Sequence, residues 1–593
     1  MYRAPVDEIA FTLKHICGLS DLQAKARHAE LSDDLVDAIL TEAGRFASEE
    51  IAPLNAVADK HGTPLANGAV STPPGWRELY HAWIEGGWNG LSAAPEAGGQ
   101  GLPHMLSAAT MEMWNSGSMA FAIGPTLTIG AIEALEKHAS DDLKSKYLEK
   151  LVSGEWMGTM NLTEPQAGSD LNALKARAER NGDGTYRIFG QKIFITYGDH
   201  DLTDNIVHLV LARLPDAPAG TRGISLFLVP KFFVGDDGAI GARNDVRVAG
   251  VEHKMGIHGS PTCTMIYGDD GGATGWLIGE ENRGLACMFT MMNNARLAVG
   301  IQGLGVAERA YQHALTYAIE RKQGRAPGET GDGMSPIARH PDIKRMLLAM
   351  KSRTQVARAI CYACAHAIDM SHAAEDPADK TFWVDRASFL TPIAKALSTD
   401  FGVEVASLGV QIHGGMGFIE ETGAAQHLRD ARIAPIYEGT NGIQSIDLVM
   451  RKLPLSGGDH VKGFIGELKA VAEEVAASNR PEFGATAERL AASIQDLEAA
   501  TDYMLCAQSD GRVADALSGA TPYLRLAGLA LGGALLAKGA LRSAGEPAAR
   551  LAERTLLARN FCETILGETA GLKSDILLSA QSIQAFDAEA LAS

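Results

Sequence analysis

The chain has 593 residues, of which 46% are hydrophobic and 21% are charged, and its formal net charge at pH 7 is −19. This length exceeds what a single hydrophobic core organises, so several packed units are expected. The acidic excess repels phosphate backbones, which argues against proteins that bind nucleic acid through clustered lysine and arginine.

Cysteine usage and the chain ends indicate the compartment. Seven cysteines without regular spacing favour a reducing environment over a disulfide framework. The one close pair, Cys361 and Cys364, lies in an apolar stretch and is interpreted as helix packing, with redox or zinc chemistry as the alternative. No apolar leader follows the N-terminus, so we expect a cytoplasmic protein. The apolar run at 526–536 is too short for a membrane span and predicts a buried helix.

Helical periodicity dominates the first part of the chain, with apolar residues three or four apart at 36–46 and further helical stretches at 74–87 and 144–151. From about residue 156 to 282 the pattern changes to short β-rich runs separated by turn residues. The predicted strands are Tyr186–Thr196, Asn205–Leu214, Gly223–Phe232, Asp245–Val251 and Cys263–Tyr267. The segment Asn181–Gly184 is interpreted as a hairpin turn, with a calcium loop as the alternative.

Helical periodicity returns after residue 285, first in one long helix and then in two more at about 341–371 and 380–410. A Pro/Gly-rich linker follows near residue 453, and the rest is rich in Ala and Leu. The expected fold is α+β and multidomain. It comprises an N-terminal helical domain (1–155), a β-barrel-like domain (156–282), a helical bundle (283–452) and an additional C-terminal helical domain (453–593).

The sequence lacks the phosphate loop GxxxxGK[ST], the hydrolase elbow GxSxG and the metalloprotease motif HExxH. No metal site is predicted. Gly300, Gly303 and Gly305 lie within an apolar helical stripe and indicate close helix packing rather than a dinucleotide-binding fingerprint.

Three stretches of the sequence contain residues suited to ligand binding or catalysis. Met160 to Asp170 combines small and hydroxyl residues that allow close backbone approach and donate hydrogen bonds, although it could be only a turn. Gln411 to Phe418 is a glycine-rich break whose N–H groups suit a pyrophosphate. Ile436 to Gln444 places Glu438 before a glycine at the start of a predicted helix, where a solvated glutamate is the alternative.

Taken in this order, the stretches resemble the acyl-CoA dehydrogenase family from about residue 30 to 450. Thr163-Glu-Pro-Gln-Ala-Gly-Ser-Asp170 is similar to the first family signature, and Gln411 together with Glu438-Gly-Thr440 is similar to the second. The resemblance implies an FAD-dependent oxidation of an acyl-CoA thioester to its 2,3-enoyl form.

The resemblance also implies site residues. FAD would lie between the β-domain and the helical bundle, with Arg321 reaching the FAD of a partner subunit. The implied cofactor-binding residues are Met160, Leu162, Thr163, Gly168, Ser169, Phe194, Thr196, Arg321, Gln411, Gly414, Gly415, Thr440 and Asn441. The implied substrate-binding residues are Ser169, Asn293, Arg296, Tyr437 and Gly439.

Glu438 matches the family base that removes the α-proton, with the enolate oxygen held by the backbone N–H of the base and a flavin ribityl hydroxyl. Some members carry the base on the helix that opens the third domain, immediately before a CoA-binding arginine. Here that position is Ala295, which cannot take a proton, and Arg296 matches the arginine. The alternative for Arg296 is a cation on the helix surface.

The resemblance leaves open which member of the family this is. An acyl-CoA oxidase that uses O2 is one alternative, and a flavin-containing DNA-binding protein is another, although acidic residues outnumber basic ones after residue 453. The extra C-terminal domain resembles a longer bacterial group that includes 3-(methylthio)propanoyl-CoA dehydrogenases as well as fatty acyl-CoA enzymes. The expected partners are an acyl-CoA, electron-transfer flavoprotein as electron acceptor, and a second copy in a homodimer or dimer of dimers. No membrane span is expected.

Overall fold

The structure, a computed structural model, describes residues 2–330 and 332–591, except for the side chains of Asn293 and Leu591. Its contacts group the chain into two compact units. The helical unit comprises Met1–Gly44, His104–Glu112 and Val299–Ser593, and the β-containing unit comprises Arg45–Pro103 and Met113–Ala298. The four domain boundaries expected from the sequence stay predictions.

Helices form most of the chain, as the apolar periodicity predicts. In chain order the α-helices of the described residues are Val6–Phe11, Leu19–Gln23, Asp33–Phe46, Asn55–His61, Trp76–Glu85, His104–His138, Asp141–Ser153, Gly284–Glu320, Pro341–Ala373, Pro377–His413, Ala424–Ala431, Asn441–Asp447, Asp459–Ala477, Thr486–Ser509, Val513–Ser518, Ala520–Arg542, Ala548–Asn560, Glu568–Leu578, Ala580–Gln584 and Ala588–Leu591.

Short strands lie mainly between residues 157 and 278. They are β1 (Leu65–Ala66), β2 (Ala69–Val70), β3 (Met157–Asn161), β4 (Arg177–Arg180), β5 (Thr185–Thr196), β6 (Ile206–Arg213), β7 (Ile224–Pro230), β8 (Phe232–Val234), β9 (Ile240–Arg243), β10 (Val246–Val251), β11 (Thr262–Tyr267) and β12 (Ala273–Ile278). The five predicted strands are confirmed as β5, β6, β7, β10 and β11, whereas the others were not predicted.

Within the described residues the main sheet has eight strands, in the order β10-β11-β5-β12-β7-β6-β3, with β4 pairing to β5 and β6. Strand β7 is buried along its whole length and β6 along all but its last residue, so their apolar runs are continuous rather than alternating. The predicted turn at Asn181–Gly184 joins the antiparallel strands β4 and β5, with Asn181 N–H donating to the Thr185 carbonyl at 3.0 Å.

Close helix packing explains the glycines that could be mistaken for a nucleotide fingerprint. A Cβ at Gly303 would collide with the Ser398 carbonyl, and one at Gly300 would lie 2.6 Å from the Ala394 carbonyl. Glycine therefore lets helix Gly284–Glu320 approach helix Pro377–His413, and the helix-packing interpretation is confirmed for Gly300 and Gly303 and stays a prediction for Gly305.

Two further predictions concern buried helices. Cys361 and Cys364 are fully buried in helix Pro341–Ala373, where burial raises the pKa of both thiols, so helix packing is confirmed for this pair. Residues 526–536 lie in helix Ala520–Arg542 and are buried except for the half-buried Leu535, so a buried helix is confirmed. Two helical segments, His104–His138 and Ala520–Gly545, are long and apolar enough to span a membrane, yet 89% and 83% of their most apolar windows are buried in the protein.

Candidate active site

Glu438 lies in a strained turn directly before helix Asn441–Asp447. Its φ is 56°, in the left-handed region that non-glycine residues rarely adopt, and the next residue, Gly439, has φ 77°. A non-glycine residue in this region costs about 1 to 3 kcal/mol and persists only where its surroundings hold it there. The half-buried carboxylate is therefore presented by a backbone conformation that the fold stabilises.

Contacts on both sides hold this turn. The Tyr437 hydroxyl donates to Oε1 of Gln302, which is buried in helix Gly284–Glu320. Desolvation, and then the charge of Glu438, raise the pKa of the Tyr437 phenol, so the hydroxyl keeps its proton and stays a donor. On the helix side, Thr440 caps the N-terminus, its Oγ1 accepting from the N–H of Ile443 at 3.2 Å.

Asn441 anchors the helix that follows the turn. Its Oδ1 accepts from Nζ of the fully buried Lys395 at 2.8 Å, and its Nδ2 donates to Asp400 Oδ1 at 2.8 Å and to Thr399 Oγ1 at 3.0 Å. The side chain thus joins helix Asn441–Asp447 to helix Pro377–His413. The expected cofactor contact of Asn441 stays a prediction.

In the β-containing unit, Phe194 is placed by a β-bulge. Ile195 pairs with Cys263 and Lys192 pairs with Met265, so two residues of β5 face one residue of β11. The extra residue is accommodated by φ 59° at Phe194, and its ring is 58% exposed. Bulges re-aim side chains near functional sites, and this one turns an aromatic face outwards near the end of β5.

The segment after β3 lies beside the same bulge. The Thr163 carbonyl accepts from the N–H of Ile193 at 2.9 Å, so Thr163 is bonded to the residue that directly precedes Phe194. Leu162 and Thr163 are half-buried, and Gly168 and Ser169 are exposed beyond a tight turn closed by paired hydrogen bonds between Glu164 and Ala167. Met160 lies near the end of β3, and Thr196 ends β5.

A buried ion pair fixes this segment and was not predicted. Lys192 Nζ is fully buried and donates to Glu164 Oε1 at 2.8 Å and to the Leu162 carbonyl at 3.0 Å. Burial opposes ionisation of Glu164, but Lys192 outweighs it and lowers the pKa of that carboxyl. The pair therefore ties the predicted cofactor-binding residues Leu162 and Thr163 to strand β5.

Replacing Lys192 with methionine is expected to weaken cofactor retention about tenfold, because Glu164 and the Leu162 carbonyl both lose their buried cationic partner on strand β5. Titration of the apoprotein with FAD, followed by flavin fluorescence, measures the dissociation constant. Arg180→Met, which breaks an exposed ion pair with Glu281 in the same unit, is the control and should leave the constant unchanged. Equal constants for Lys192→Met and the control would contradict this role.

The glycine-rich break presents open backbone in the helical unit. Gln411 is exposed at the end of helix Pro377–His413, and Gly414, with φ 61°, ends that helix. A Cβ at Gly414 or Gly415 would meet no atom within 4 Å, so intramolecular packing does not demand glycine at 415. Bare N–H groups in such a break suit an anionic ligand. Arg321 is exposed just after helix Gly284–Glu320.

The helix segment 293–296 holds the remaining predicted contacts. Arg296 is buried, so the alternative of a helix-surface cation is wrong. Its neighbour Asn294 donates to the half-buried Glu133, a residue that the sequence did not single out. Burial, and then Glu136, raise the pKa of Glu133 to about 8. The side chain of Asn293 lies outside the described residues, so its predicted substrate contact stays a prediction.

Family models match along almost the whole chain. Three described as the N-terminal, middle and C-terminal domains of acyl-CoA dehydrogenase match residues 34–155, 159–269 and 282–453. A fourth, described as acetyl-CoA dehydrogenase C-terminal like, matches residues 464–587. Together these matches cover both groups of predicted site residues.

Among relatives, the chain is 45% identical to 3-methylmercaptopropionyl-CoA dehydrogenase of Ruegeria pomeroyi, over 98% of this chain and 99% of the relative. It is 31% identical to the broad-specificity linear acyl-CoA dehydrogenase FadE5 of Mycobacterium tuberculosis, over 86% and 85%. A solved acyl-CoA dehydrogenase from Bacillus anthracis, complexed with FAD, has the same fold, with a TM-score of 0.73, 22% identity and coverage of 100% and 94%. The chain therefore belongs to the acyl-CoA dehydrogenase family.

Proposed function

We propose that Glu438 is the base with which this FAD-dependent acyl-CoA dehydrogenase removes the α-proton of its thioester substrate. The observation that supports this is the left-handed pair Glu438 and Gly439, held from two sides at the position where the family carries its base. Strain maintained by the fold at a carboxylate is typical of a functional site. The alternative position, Ala295, has no side-chain base.

The α-proton of a thioester is far too weakly acidic for a solvated carboxylate to remove. Transfer therefore needs a base held in place and stabilisation of the negative charge that develops on the thioester oxygen. The backbone N–H of Glu438 would donate to that oxygen while the carboxylate takes the proton. The expected contact of Gly439 with the acyl chain stays a prediction.

The residues present fit FAD. An exposed aromatic ring at Phe194 and the hydroxyl groups of Thr163 and Ser169 offer an apolar face with hydrogen-bonding groups for a heteroaromatic ring. The bare backbone at Gly414 and Gly415 and the exposed Arg321 suit a pyrophosphate. When bound, FAD supplies the two-electron acceptor for the hydride that leaves the β-carbon, so loss of the proton and the hydride yields the 2,3-enoyl thioester.

The substrate we propose is the CoA thioester of 3-methylmercaptopropionate, a short acyl chain with a thioether sulfur next to its terminal methyl group. Identity of 45% with an enzyme of that name, over nearly the full length of both chains, supports it. A relative named butyryl-CoA dehydrogenase is 38% identical over 76% of this chain. A preference for a short acyl chain is consistent with both.

An anaerobic titration tests this choice. With 3-(methylthio)propanoyl-CoA the flavin absorbance of the purified enzyme should bleach with a kcat/KM at least about tenfold above that for octanoyl-CoA or palmitoyl-CoA, because one or two misfitted methylenes already cost that much. Pentanoyl-CoA, in which a methylene replaces the sulfur, is the matched control for chain length. Equal values for octanoyl-CoA would contradict the substrate assignment.

The remaining partners are also proposals. Electron-transfer flavoprotein is the proposed acceptor, and reoxidation of the bleached enzyme faster by O2 than by that protein would argue for an oxidase.

A homodimer is proposed because Arg321 and the glycine-rich break are exposed in the single chain. Phe418, at the end of that break, is 85% exposed. Light scattering that returned the mass of one chain would refute it. Cell fractionation tests the proposed cytoplasmic location.

A further inference from the structure

The side chain of Gln444 contacts the backbone of the turn that carries Glu438. It lies in the first turns of helix Asn441–Asp447 and is fully buried. Its Nε2 donates to two successive carbonyls, that of Glu438 at 3.1 Å and that of Gly439 at 3.3 Å. These carbonyls belong to the two residues with left-handed φ.

The orientation of this amide follows from chemistry. An amide oxygen facing two carbonyl oxygens would repel both, so the NH2 group must face the turn. The Gln444 Oε1 is buried and has no hydrogen-bond partner among the described residues, so both hydrogen bonds of this side chain go to the turn. Glycine at position 439 leaves room for the Gln444 amide, since a Cβ there would lie 2.8 Å from Nε2.

The two bonds also fix the peptide planes. In a trans peptide the N–H points opposite to the C=O, so holding the Glu438 carbonyl towards Gln444 directs the Gly439 N–H to the other face. The Gly439 carbonyl fixes the next plane in the same way. The helix that carries Gln444 is itself anchored by Asn441 on Lys395 and Asp400, so the amide is held on a rigid support.

We propose that Gln444 is a positioning residue for Glu438: its amide holds the carbonyls of Glu438 and Gly439 and thereby keeps the left-handed turn that aims the carboxylate at the α-carbon. This inference rests on the proposed role of Glu438 as the base. Gln444 acts through the turn and does not itself take part in proton transfer.

Gln444→Glu tests the idea with almost no change of shape. An ionised carboxylate cannot donate and would face two carbonyl oxygens, whereas a protonated one can donate a single hydrogen bond. At pH 8 kcat should fall roughly 10- to 100-fold, the cost of a displacement of about 1 Å, with KM within about threefold of wild type. As the pH is lowered the introduced carboxyl is protonated and can donate again, so the ratio of the variant's rate to the wild-type rate should rise, while both proteins lose rate because Glu438 must be ionised.

Gln444→Met is the second variant, since it removes both donors without adding a titratable group. Its kcat should be lowered by a similar factor, and the ratio of its rate to that of wild type should not change with pH. For both variants the isotope effect with an α-deuterated thioester should exceed that of wild type. Flavin content and the midpoint of thermal unfolding show whether the variants are folded.

The outcomes separate this inference from the role of Glu438. If Glu438→Gln keeps the wild-type rate, the base assignment fails whatever the Gln444 variants do. If Glu438→Gln is inactive but both Gln444 variants keep the wild-type kcat and isotope effect, the positioning role is wrong. A loss of flavin and thermal stability in Gln444→Glu, with no rise of its rate relative to wild type at low pH, would likewise overturn it in favour of a purely structural role.

Discussion

Replacing Glu438 with glutamine is expected to lower kcat for thioester oxidation by about a thousandfold while the protein keeps its fold and its FAD. Glutamine preserves the shape of the side chain and leaves the backbone bonds of the turn intact, but its amide cannot accept the α-proton. The KM should change little, because the residue contributes to the transition state more than to binding. Stopped-flow bleaching of the flavin under anaerobic conditions measures the rate.

A matched control for this variant is Glu421→Gln, which removes an exposed carboxylate from the same unit. Its rate should equal that of wild type. A Glu438→Gln protein that lost its flavin would show a structural role instead, and one that bleached at the wild-type rate would contradict the assignment of the base.

Replacing Arg358 with methionine is expected to lower the free energy of unfolding by about 3 to 5 kcal/mol, because Glu112 and Glu308 lose the buried cation that they share. The guanidinium is fully buried and donates from Nε to both carboxylate oxygens of Glu112 at 3.0 Å and from Nη2 to Glu308 at 2.8 Å. Nη1 donates to Gln355 at 2.7 Å. Chemical denaturation measures the loss.

The difference in unfolding free energy between Arg358→Met and wild type should depend on pH in a definite direction. Burial alone would raise the pKa of Glu308, but Lys351 and Arg358 outweigh it and hold the pKa at about 2. The ion pair therefore stabilises the fold above the unfolded pKa of about 4.3, and this contribution is lost as the pH falls towards 2. The gap between Arg358→Met and wild type should shrink with acid.

Arg345→Met is the control for Arg358, because its pair with Asp342 is exposed on both sides and such pairs contribute about 0 to 1 kcal/mol. Arg358→Lys should fall between the two, since lysine keeps the charge but not the planar fork. If Arg358→Met proved no less stable than Arg345→Met, the buried network would not contribute to stability as described.

Much of the fold was predictable because its periodicity is local. The long helices and the five strong strands follow from apolar spacing, and β6 and β7 are apolar enough to be recognised as buried. Strand β12 was missed because glycine interrupts it, and β4 because it is short and charged. Such strands form through pairing with neighbours, which a single segment does not encode.

The candidate site, like the fold, was predictable only in part from the sequence. Glu438 stands in a recognisable motif, so the sequence alone indicates it. The residues that support it were missed because they act through the fold: Gln444 turns back onto a preceding carbonyl, Gln302 reaches Tyr437 from a helix far along the chain, and Lys192 looks like an ordinary strand residue until Glu164 is placed beside it. The sequence offers one local signal for Lys192, namely a lysine directly before the apolar residues 193–195 of strand β5.

Exchange of α-hydrogen into D2O tests the role of Glu438 most directly. A thioester whose β-carbon is replaced by sulfur has no β-hydride to lose, so proton removal is measured apart from oxidation, by mass spectrometry of the recovered thioester. Wild-type enzyme should incorporate deuterium at the α-carbon, whereas Glu438→Gln should show no more exchange than buffer does. Incorporation by Glu438→Gln at the wild-type rate would mean that another group removes the proton.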